Sequence, residues 1–467
     1  MSTDDDRPRS ADDERPRSTD NERQRSGGAL ARLADVRPGE RAPLAWSLLL
    51  VFSLLASYYV IRPIRDEMGV LGGVENLQWL FTATLVAMLA LNPAFSALVR
   101  RMPRERFLPA AYLFFAANLV AFAVVLEAAP ASLEPWIGRV FFVWTSVFNL
   151  FVVSLFWALM VDVFDSEQGK RLFGLLAAGA TVGAIAGSSS TASLVGTLGA
   201  TRLMLTSAAL LLVACICVLA VARGARATRD TAGDAARNEA PIGGSAWAGL
   251  TRVARSPYLL AICGYMLLFS ITSTLLYFLQ AEIVAQQFHD RAARTRFFAS
   301  VDLAVNISTL LVQLLVTGRV LHRFGVARTA SILPALSVVG FGALALAPTV
   351  TVLVAAQLGR RVLNFGLARP TRELLFTVLS REDKYKAKNA IDTVVYRAGD
   401  QVGSWSYAAL AWAGLGITGI ALVALPLSVA WLAVSWWVGR RQESLAASAP
   451  MSAAALGGAS ARRADAA

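Results

Sequence analysis

Apolar runs of roughly 20 residues recur along most of this chain. A helix of that length crosses the roughly 30 Å hydrocarbon core of a bilayer. Only 16% of the residues are charged, whereas soluble domains carry roughly a quarter. The sequence therefore predicts an all-α integral membrane protein with about 12 transmembrane helices. The predicted spans lie near 43–61, 77–99, 107–126, 137–161, 172–197, 201–221, 258–281, 297–320, 327–346, 350–377, 388–414 and 417–438.

The spans divide into two groups of six. Connection 222–257 is the longest and contains Pro and Gly, which predicts a cytoplasmic linker between an N-terminal half, 41–221, and a C-terminal half, 258–441. Residues 1–40 repeat a charged octad without apolar periodicity, and residues 442–467 are rich in Ala and Ser. Both segments are predicted to be disordered cytoplasmic tails.

An internal repeat indicates that the two halves are related. A set of residues in the region of spans 4 and 5 recurs at one fixed offset near spans 10 and 11, which predicts a duplication and pseudo-symmetric halves. Residues Glu167, Lys170, Gly183, Gly187 and Ser188 correspond to Asp383, Lys386, Gly399, Gly403 and Ser404. The small-residue run 179–187 predicts close approach of span 5 to a neighbouring helix.

Positive charge follows the connections between spans. Arg and Lys concentrate in alternate connections, which predicts a multi-pass protein of the cell (inner) membrane with both termini in the cytoplasm. The net charge is +12, but most cations flank apolar runs, so nucleic-acid binding is not predicted.

Cysteine and histidine positions argue against metal chemistry. Cys215, Cys217 and Cys263 lie in apolar runs, and His289 and His322 lie in different predicted loops. No nucleophile–base pair or phosphate-binding glycine loop is recognisable, so neither an enzyme nor a cofactor is predicted. We expect a monomer.

Ionisable residues inside spans are costly and indicate functional sites. The end of span 1 carries Arg62, Arg65 and Asp66, and Arg62 could pair with Asp66 because four residues separate them. Pro63 favours a break or kink there. The alternative is a solvated helix end outside the membrane.

Span 10 carries an excess of arginine. Arg361 and Arg372 fall on nearly the same face of a regular helix, and Arg369 could pair with Glu373. Excess guanidinium groups in a cavity favour an anion such as phosphate or carboxylate. Alternatively, the outer arginines reach the interface or neutralise Asp392 and Asp400 on span 11.

Further polar residues are candidates for the solute pathway. Asp302 on span 8 could couple transport to protons, serve as the counter-ion of a span 10 arginine, or lie at the interface. Asn149 and Trp157 in span 4, with Gln280 at the end of span 7, could contact a solute or pack helices together.

Two groups of motifs resemble known families. Gly318, Arg323, Gly325 and Arg328 after span 8 resemble the loop motif of the major facilitator superfamily, although His322 stands where that motif often has an acid. The segments Ala-Arg-Pro-Thr-Arg-Glu-Leu at 368–374 and Lys-Ala-Lys-Asn-Ala-Ile-Asp at 386–392 resemble the ATP/ADP translocase family of plastids and intracellular bacteria.

The resemblance to ATP/ADP translocases extends to residues 62–66 and to the region from 154 to 174. It implies that Arg65 and Arg372 replace lysines implicated in nucleotide exchange. An acid that the family carries in span 4 falls near Thr145 here, without a substitute in that span.

These observations predict a transporter that moves an anionic small solute, such as a nucleotide, by alternating access of the two halves. The predicted anion-binding residues are Arg65, Arg361 and Arg372, with Asp66, Glu373 and Asp392 as their partners in the empty site. The alternatives are a flippase for a lipid or envelope precursor and a non-transporting membrane sensor or assembly partner.

Overall fold

The structure is a computed structural model that describes residues 36–101, 104–229, 256–379, 387–388 and 390–464. The N-terminal half contains α1 (Arg41–Leu71), α2 (Leu77–Arg101), α3 (Arg104–Ala128), α4 (Glu134–Val163), α5 (166–198) and α6 (200–229). The C-terminal half contains α7 (Pro257–Gln287), α8 (Arg291–Leu315), α9 (326–346), α10 (350–375), α11 (391–412) and α12 (Ile417–Ala464).

Two glycines separate helices that otherwise run together. Gly199 has φ 71° and ends α5 directly before α6, so the two spans are joined by a single tight turn. Gly325 has φ 73° and separates a short helical segment, 317–324, from α9. Positive φ values of this kind suit glycine because it lacks a Cβ atom.

The helices agree with the predicted spans. Nine helices of the described part are long and apolar enough to cross a membrane, and one of them, 167–223, contains both α5 and α6. Helices α10 and α11 are each divided by a π-helical turn, Asn364–Ala368 and Ile391–Val395, and make up the remaining spans. The prediction of an all-α membrane protein with twelve spans is confirmed.

The predicted tails and linker largely lie outside the described residues, which exclude 1–35 and 230–255. At the C-terminus the structure differs from the prediction, because α12 continues as a helix from 442 to Ala464. Ala has the highest helix propensity, and this segment is rich in Ala, so the chain has no local signal that ends the helix at 442.

Helix α5 packs closely against α1 through the predicted small-residue run. A Cβ atom at Gly183 would overlap the carbonyl oxygen of Phe52, and one at Gly187 would overlap that of Ala56. Small residues permit backbone approach of this kind between membrane helices. The predicted close contact of span 5 is therefore confirmed, and α1 is its partner.

The repeated glycines of the C-terminal half make the equivalent contact. A Cβ atom at Gly399 would lie 2.5 Å from Cβ of Ser270, and one at Gly403 would lie 2.9 Å from Cβ of Thr274. Both neighbours are on α7, so α11 packs on α7 as α5 packs on α1. The duplicated motif thus has the same structural role in each half.

The two halves contact each other at the end of the bundle that holds residues 72–76 and 288–290, which we call the joined end. An apolar cluster there combines Val70, Val74 and Leu77 with Leu275 and Leu279. Ion pairs and aromatic contacts close the same end of the bundle: Glu67 with Arg291 and Arg294, and Trp79 with Trp405. The two halves therefore close against each other at the joined end.

Candidate functional site

A polar cavity of about 230 Å³ lies between the two halves, and we call it the central cavity. Helix α1 supplies one wall, and α7, α8, α10 and α11 supply the others. Its lining residues are Arg62, Asp66, Phe269, Ser273, Tyr277, Gln280, Phe298, Asp302, Gln357, Arg360, Arg361, Asn364 and Tyr396.

Asp302 joins the two halves at the centre of this cavity. Its Oδ1 atom lies 3.0 Å from Nη1 of Arg62 on α1 and 2.6 Å from Nη1 of Arg361 on α10. The residue is only 2% exposed, and its Oδ2 atom has no hydrogen-bond partner. Asp302 is thus the counter-ion of a span 10 arginine, one of its predicted roles, and it is buried in the central cavity.

The predicted pairing of Arg62 with Asp66 is wrong, because Arg62 pairs with Asp302. Asp66 lies 3.4 Å from Nη1 of Arg65 and accepts a hydrogen bond of 3.0 Å from the hydroxyl of Tyr277. Helix α1 also passes through Pro63 without ending, so of the predicted break or kink, the break does not occur. A partner on another helix decided the pairing, and spacing along α1 did not.

Arg360 is a residue of the central cavity that the predicted site did not include. It is 4% exposed, and its Nη2 atom donates to Oγ1 of Thr272 at 3.2 Å and Oγ of Ser273 at 2.9 Å. Its Nη1 atom has no hydrogen-bond partner. Among the described residues it forms no ion pair, so its charge is not compensated by a carboxylate.

The available sequence signal for Arg360 was its position beside Arg361 within an apolar run. Adjacent residues on a helix point about 100° apart, so this position does not by itself place both side chains in one cavity. In the structure the cavity extends far enough between α7 and α10 to include both.

A second polar cavity of about 260 Å³, which we call the side cavity, lies between α1, α2, α4 and α11. Of the predicted site residues, it contains Arg65 and Asn149. Its lining residues are Tyr58, Arg65, Phe81, Thr84, Leu85, Met88, Phe142, Ser146, Asn149, Tyr396, Arg397, Asp400 and Gln401.

Asp400 is a buried carboxylate of the side cavity. Its Oδ1 atom accepts hydrogen bonds from Ser270 at 2.6 Å and Thr274 at 3.4 Å, and its Oδ2 atom lies 3.3 Å from Nη1 of Arg397. The side cavity therefore contains Asp400 already paired with Arg397 on the same helix.

Three predicted site residues lie outside both cavities on α10 and α11. Arg372 lies 3.6 Å from Asp392 and donates to the Sδ atom of Met266 at 3.2 Å. Glu373 is half exposed and pairs with Lys388. The predicted pair of Arg369 with Glu373 is wrong, because Arg369 points back over the ring of Phe365, toward the helix N-terminus.

The expectation that Arg361 and Arg372 share a face assumed a regular helix, and in the structure the two arginines have different partners. The π-helical turn Asn364–Ala368 lies between them and changes the angular register of the residues that follow. Arg361 lines the central cavity, and Arg372 contacts Asp392 outside it.

Trp157 packs against Phe173 on α5, with ring centroids 5.5 Å apart, and lines neither cavity. It is a packing residue of the N-terminal half, which was the alternative reading of its position. Gln280 lines the central cavity and accepts a hydrogen bond from Gln357 there.

Comparison with known proteins agrees with this architecture. The sequence profile of the Major Facilitator Superfamily matches residues 42–372. ADP,ATP carrier protein 2 of Chlamydia pneumoniae is 26% identical over 220 residues, a match that covers 42% of this chain and 41% of that carrier.

Solved structures share the fold at low sequence identity. A bacterial homologue of the iron transporter ferroportin, in an inward-facing state, has a TM-score of 0.59 at 12% identity and covers 89% of this chain and 100% of its own. The nucleoside transporter NupG has a TM-score of 0.57 at 13% identity, with 86% and 98% covered.

The family profile matches the chain from α1 to the arginine-rich end of α10. The structure has twelve spans in two related halves around a central polar cavity. The chain belongs to the major facilitator superfamily of membrane transporters.

Proposed function

We propose that this transporter moves an organic anion of the nucleotide class by alternating access, in exchange for a second such anion. The observation that carries the proposal is the composition of the central cavity. Arg62, Arg360 and Arg361 face one space, Asp302 pairs with two of them, and Arg360 has no acidic partner among the described residues. Guanidinium groups bind phosphate and carboxylate through paired hydrogen bonds, so an anion is the fitting ligand.

The position of Asp302 suggests how binding is linked to movement of the halves. Asp302 on α8 holds Arg62 of the N-terminal half and Arg361 of the C-terminal half when the cavity is empty. An entering anion competes with this carboxylate for both arginines, and it thereby changes a contact between the halves. Asp302 is in this proposal an internal competitor of the substrate.

Exchange is favoured over net transport for an electrostatic reason. Without a substrate, the cavity carries more guanidinium groups than carboxylates, and moving uncompensated charge through the low-dielectric membrane is costly. A bound anion removes part of this cost in each direction. The Chlamydia protein that this chain resembles is named as an ADP,ATP carrier, which supports a nucleotide as the anion. The sequence match covers about two fifths of that carrier's length.

A lipid flippase is a less favoured function. An apolar groove of about 610 Å³ lies between α2 and α4, but it shares no lining residue with the central cavity or the side cavity. The arginines of the central cavity therefore do not line a path into this groove.

A non-transporting membrane sensor is the other alternative. If the protein were such a sensor, neutralising the arginines of the central cavity would leave its sensing function unchanged.

The test is counterflow in proteoliposomes that contain the full chain and internal ADP. We expect saturable uptake of labelled ATP that depends on the internal ADP, and Arg361→Gln should lower uptake by about tenfold or more, because hydrogen bonds to charged groups contribute about 1.5–3 kcal/mol. Arg202→Gln is the matched control, because Arg202 is exposed on α6 and lines neither cavity.

Two results would contradict the proposal. Absence of uptake by folded, reconstituted protein would remove nucleotides as the substrate class. Equal uptake by wild type and Arg361→Gln would separate transport from the central cavity.

A further inference from the structure

The central cavity and the side cavity share one wall residue. Tyr396, the first residue of the regular part of α11, lines both. Their volumes are about 230 and 260 Å³, each below the roughly 300 Å³ at which ligand pockets for organic molecules usually begin. Together the two cavities fall inside that range.

The two cavities differ in charge balance. In the side cavity Arg65 pairs with Asp66 and Arg397 pairs with Asp400, so each arginine has its own carboxylate. In the central cavity two arginines share Asp302, and Arg360 has no ion pair among the described residues. The capacity to bind an additional anion is therefore confined to the central cavity.

The side cavity has walls that suit a flat, neutral group with hydrogen-bonding edges. Phe142 and Tyr58 provide aromatic surface, and the guanidinium plane of Arg65 lies 4.0 Å from the ring centroid of Phe142. Asn149 supplies an amide, and the buried hydroxyl of Thr84 has no hydrogen-bond partner. Aromatic and guanidinium planes stack on nucleobases, and amide groups bond to base edges.

We infer that one substrate molecule occupies both cavities, with its anionic end in the central cavity and a flat, neutral heterocyclic end in the side cavity. Tyr396 contacts the part of the molecule that joins the two ends. This inference rests on the proposed function and extends it, because it assigns each end of the nucleotide-class substrate to its own set of residues. It also assigns recognition of the heterocycle to Asn149 and Thr84.

A substrate that spans two independent subsites gains from both at once. Joining two fragments makes the second binding event intramolecular, so the whole molecule binds more tightly than either part. Substitutions in separated subsites that share no partner have additive effects on the binding free energy. Arg360 and Asn149 line different cavities and form no hydrogen bond with each other.

The test measures binding to the purified full chain in detergent by isothermal titration calorimetry. Pyrophosphate is the probe for the anionic end, adenosine is the probe for the heterocyclic end, and ADP contains both chemistries. In the wild-type protein, saturating adenosine should leave the Kd of pyrophosphate unchanged. ADP should bind at least tenfold more tightly than either fragment.

Two variants assign the ends. Arg360→Gln should weaken pyrophosphate and ADP by about tenfold and leave adenosine unchanged, because a charge-assisted hydrogen bond contributes roughly 1.5–3 kcal/mol. Asn149→Ala should weaken adenosine and ADP but not pyrophosphate. For ADP, the double variant should show the product of the two single losses.

Several outcomes overturn the inference. They are competition between adenosine and pyrophosphate in the wild type, loss of both fragments in one variant, and absence of fragment binding. The competition experiment needs no substitution, so it remains decisive if a variant fails to fold.

The outcome of the binding experiment can be distinguished from the outcome of the counterflow test. ADP exchange together with fragment competition would leave the proposed function standing and remove the two-cavity assignment. Independent fragment binding without nucleotide exchange would do the reverse.

Discussion

The helix pairs α1/α5 and α7/α11 occupy equivalent places in the two halves, and their backbones pack alike. Gly183 and Gly187 approach α1, while Gly399 and Gly403 approach α7 at the same offset in the chain. Helices α1 and α7 are both 31 residues long. The duplicated scaffold is therefore kept where backbone contact requires small side chains.

The charged residues do not follow this symmetry. The offset that relates the glycines places Trp144 and Thr145 of α4 opposite Arg360 and Arg361 of α10. Thr145 is fully buried without a hydrogen-bond partner for its hydroxyl. Helix α4 is also regular, whereas α10 contains the π-helical turn Asn364–Ala368. Backbone packing is therefore shared by the two halves, whereas the chemistry of the site differs between them.

The largest expected difference between the halves concerns Asp302. Asp302→Asn should destabilise the protein by about 3–5 kcal/mol, because it removes a buried carboxylate and leaves the partly buried Arg62 and Arg361 without their counter-ion. Thr145→Val, at the position equivalent to Arg361, should change stability by less than about 1 kcal/mol. Urea unfolding in detergent, followed by tryptophan fluorescence, measures both. Equal losses would mean that charge pairing does not distinguish the halves.

The glycine contacts should give similar results in the two halves. Gly183→Ala and Gly399→Ala each place a Cβ atom into a neighbouring helix, and overpacking of this kind costs about 1–3 kcal/mol. Gly174→Ala on α5 is the control, since a Cβ atom there meets nothing within 4 Å. The same unfolding measurement applies. A harmless Gly399→Ala beside a damaging Gly183→Ala would break the structural equivalence of α5 and α11.

The smallest expected effect concerns an ionic contact of the N-terminal half. Before α1, Glu40 accepts hydrogen bonds from Arg171 at 2.7 Å and from Gln168 at 3.1 Å. In the C-terminal half, the position equivalent to Glu40 is Ser256, and the position equivalent to Arg171 is Ala387. Burial opposes ionisation of Glu40, but the hydrogen bonds from Arg171, Arg37 and Gln168 outweigh it and lower its pKa.

The lowered pKa sets the sign of the pH dependence. The contact should contribute about 1 kcal/mol of stability above the ordinary pKa of a glutamic acid, and this contribution should vanish as the pH falls through the lowered folded-state value. Glu40→Gln should remove this contribution, so the variant should lose less stability than the wild type as the pH falls. Thermal unfolding of both proteins between neutral and acidic pH checks it, and identical pH profiles would contradict the assignment.

The sequence by itself determined the membrane class, the spans and the relation of the halves, because hydrophobicity, helix length and glycine spacing are local properties. It also identified Arg62, Arg361 and Asp302 as charges with a cost inside the membrane. These three residues lie together, although the predicted pair within α1 does not form.

Only the tertiary structure decided which charges meet. Asp302 pairs with residues on α1 and α10 that are distant in the chain, and α10 loses its regular register at the π-helical turn before Arg372. A side chain's direction depends on every residue's contribution to the helix turn and on how neighbouring helices pack. Spacing in the sequence assumes a regular helix, and it therefore could not separate Arg361 from Arg372 or bring Arg360 into the cavity.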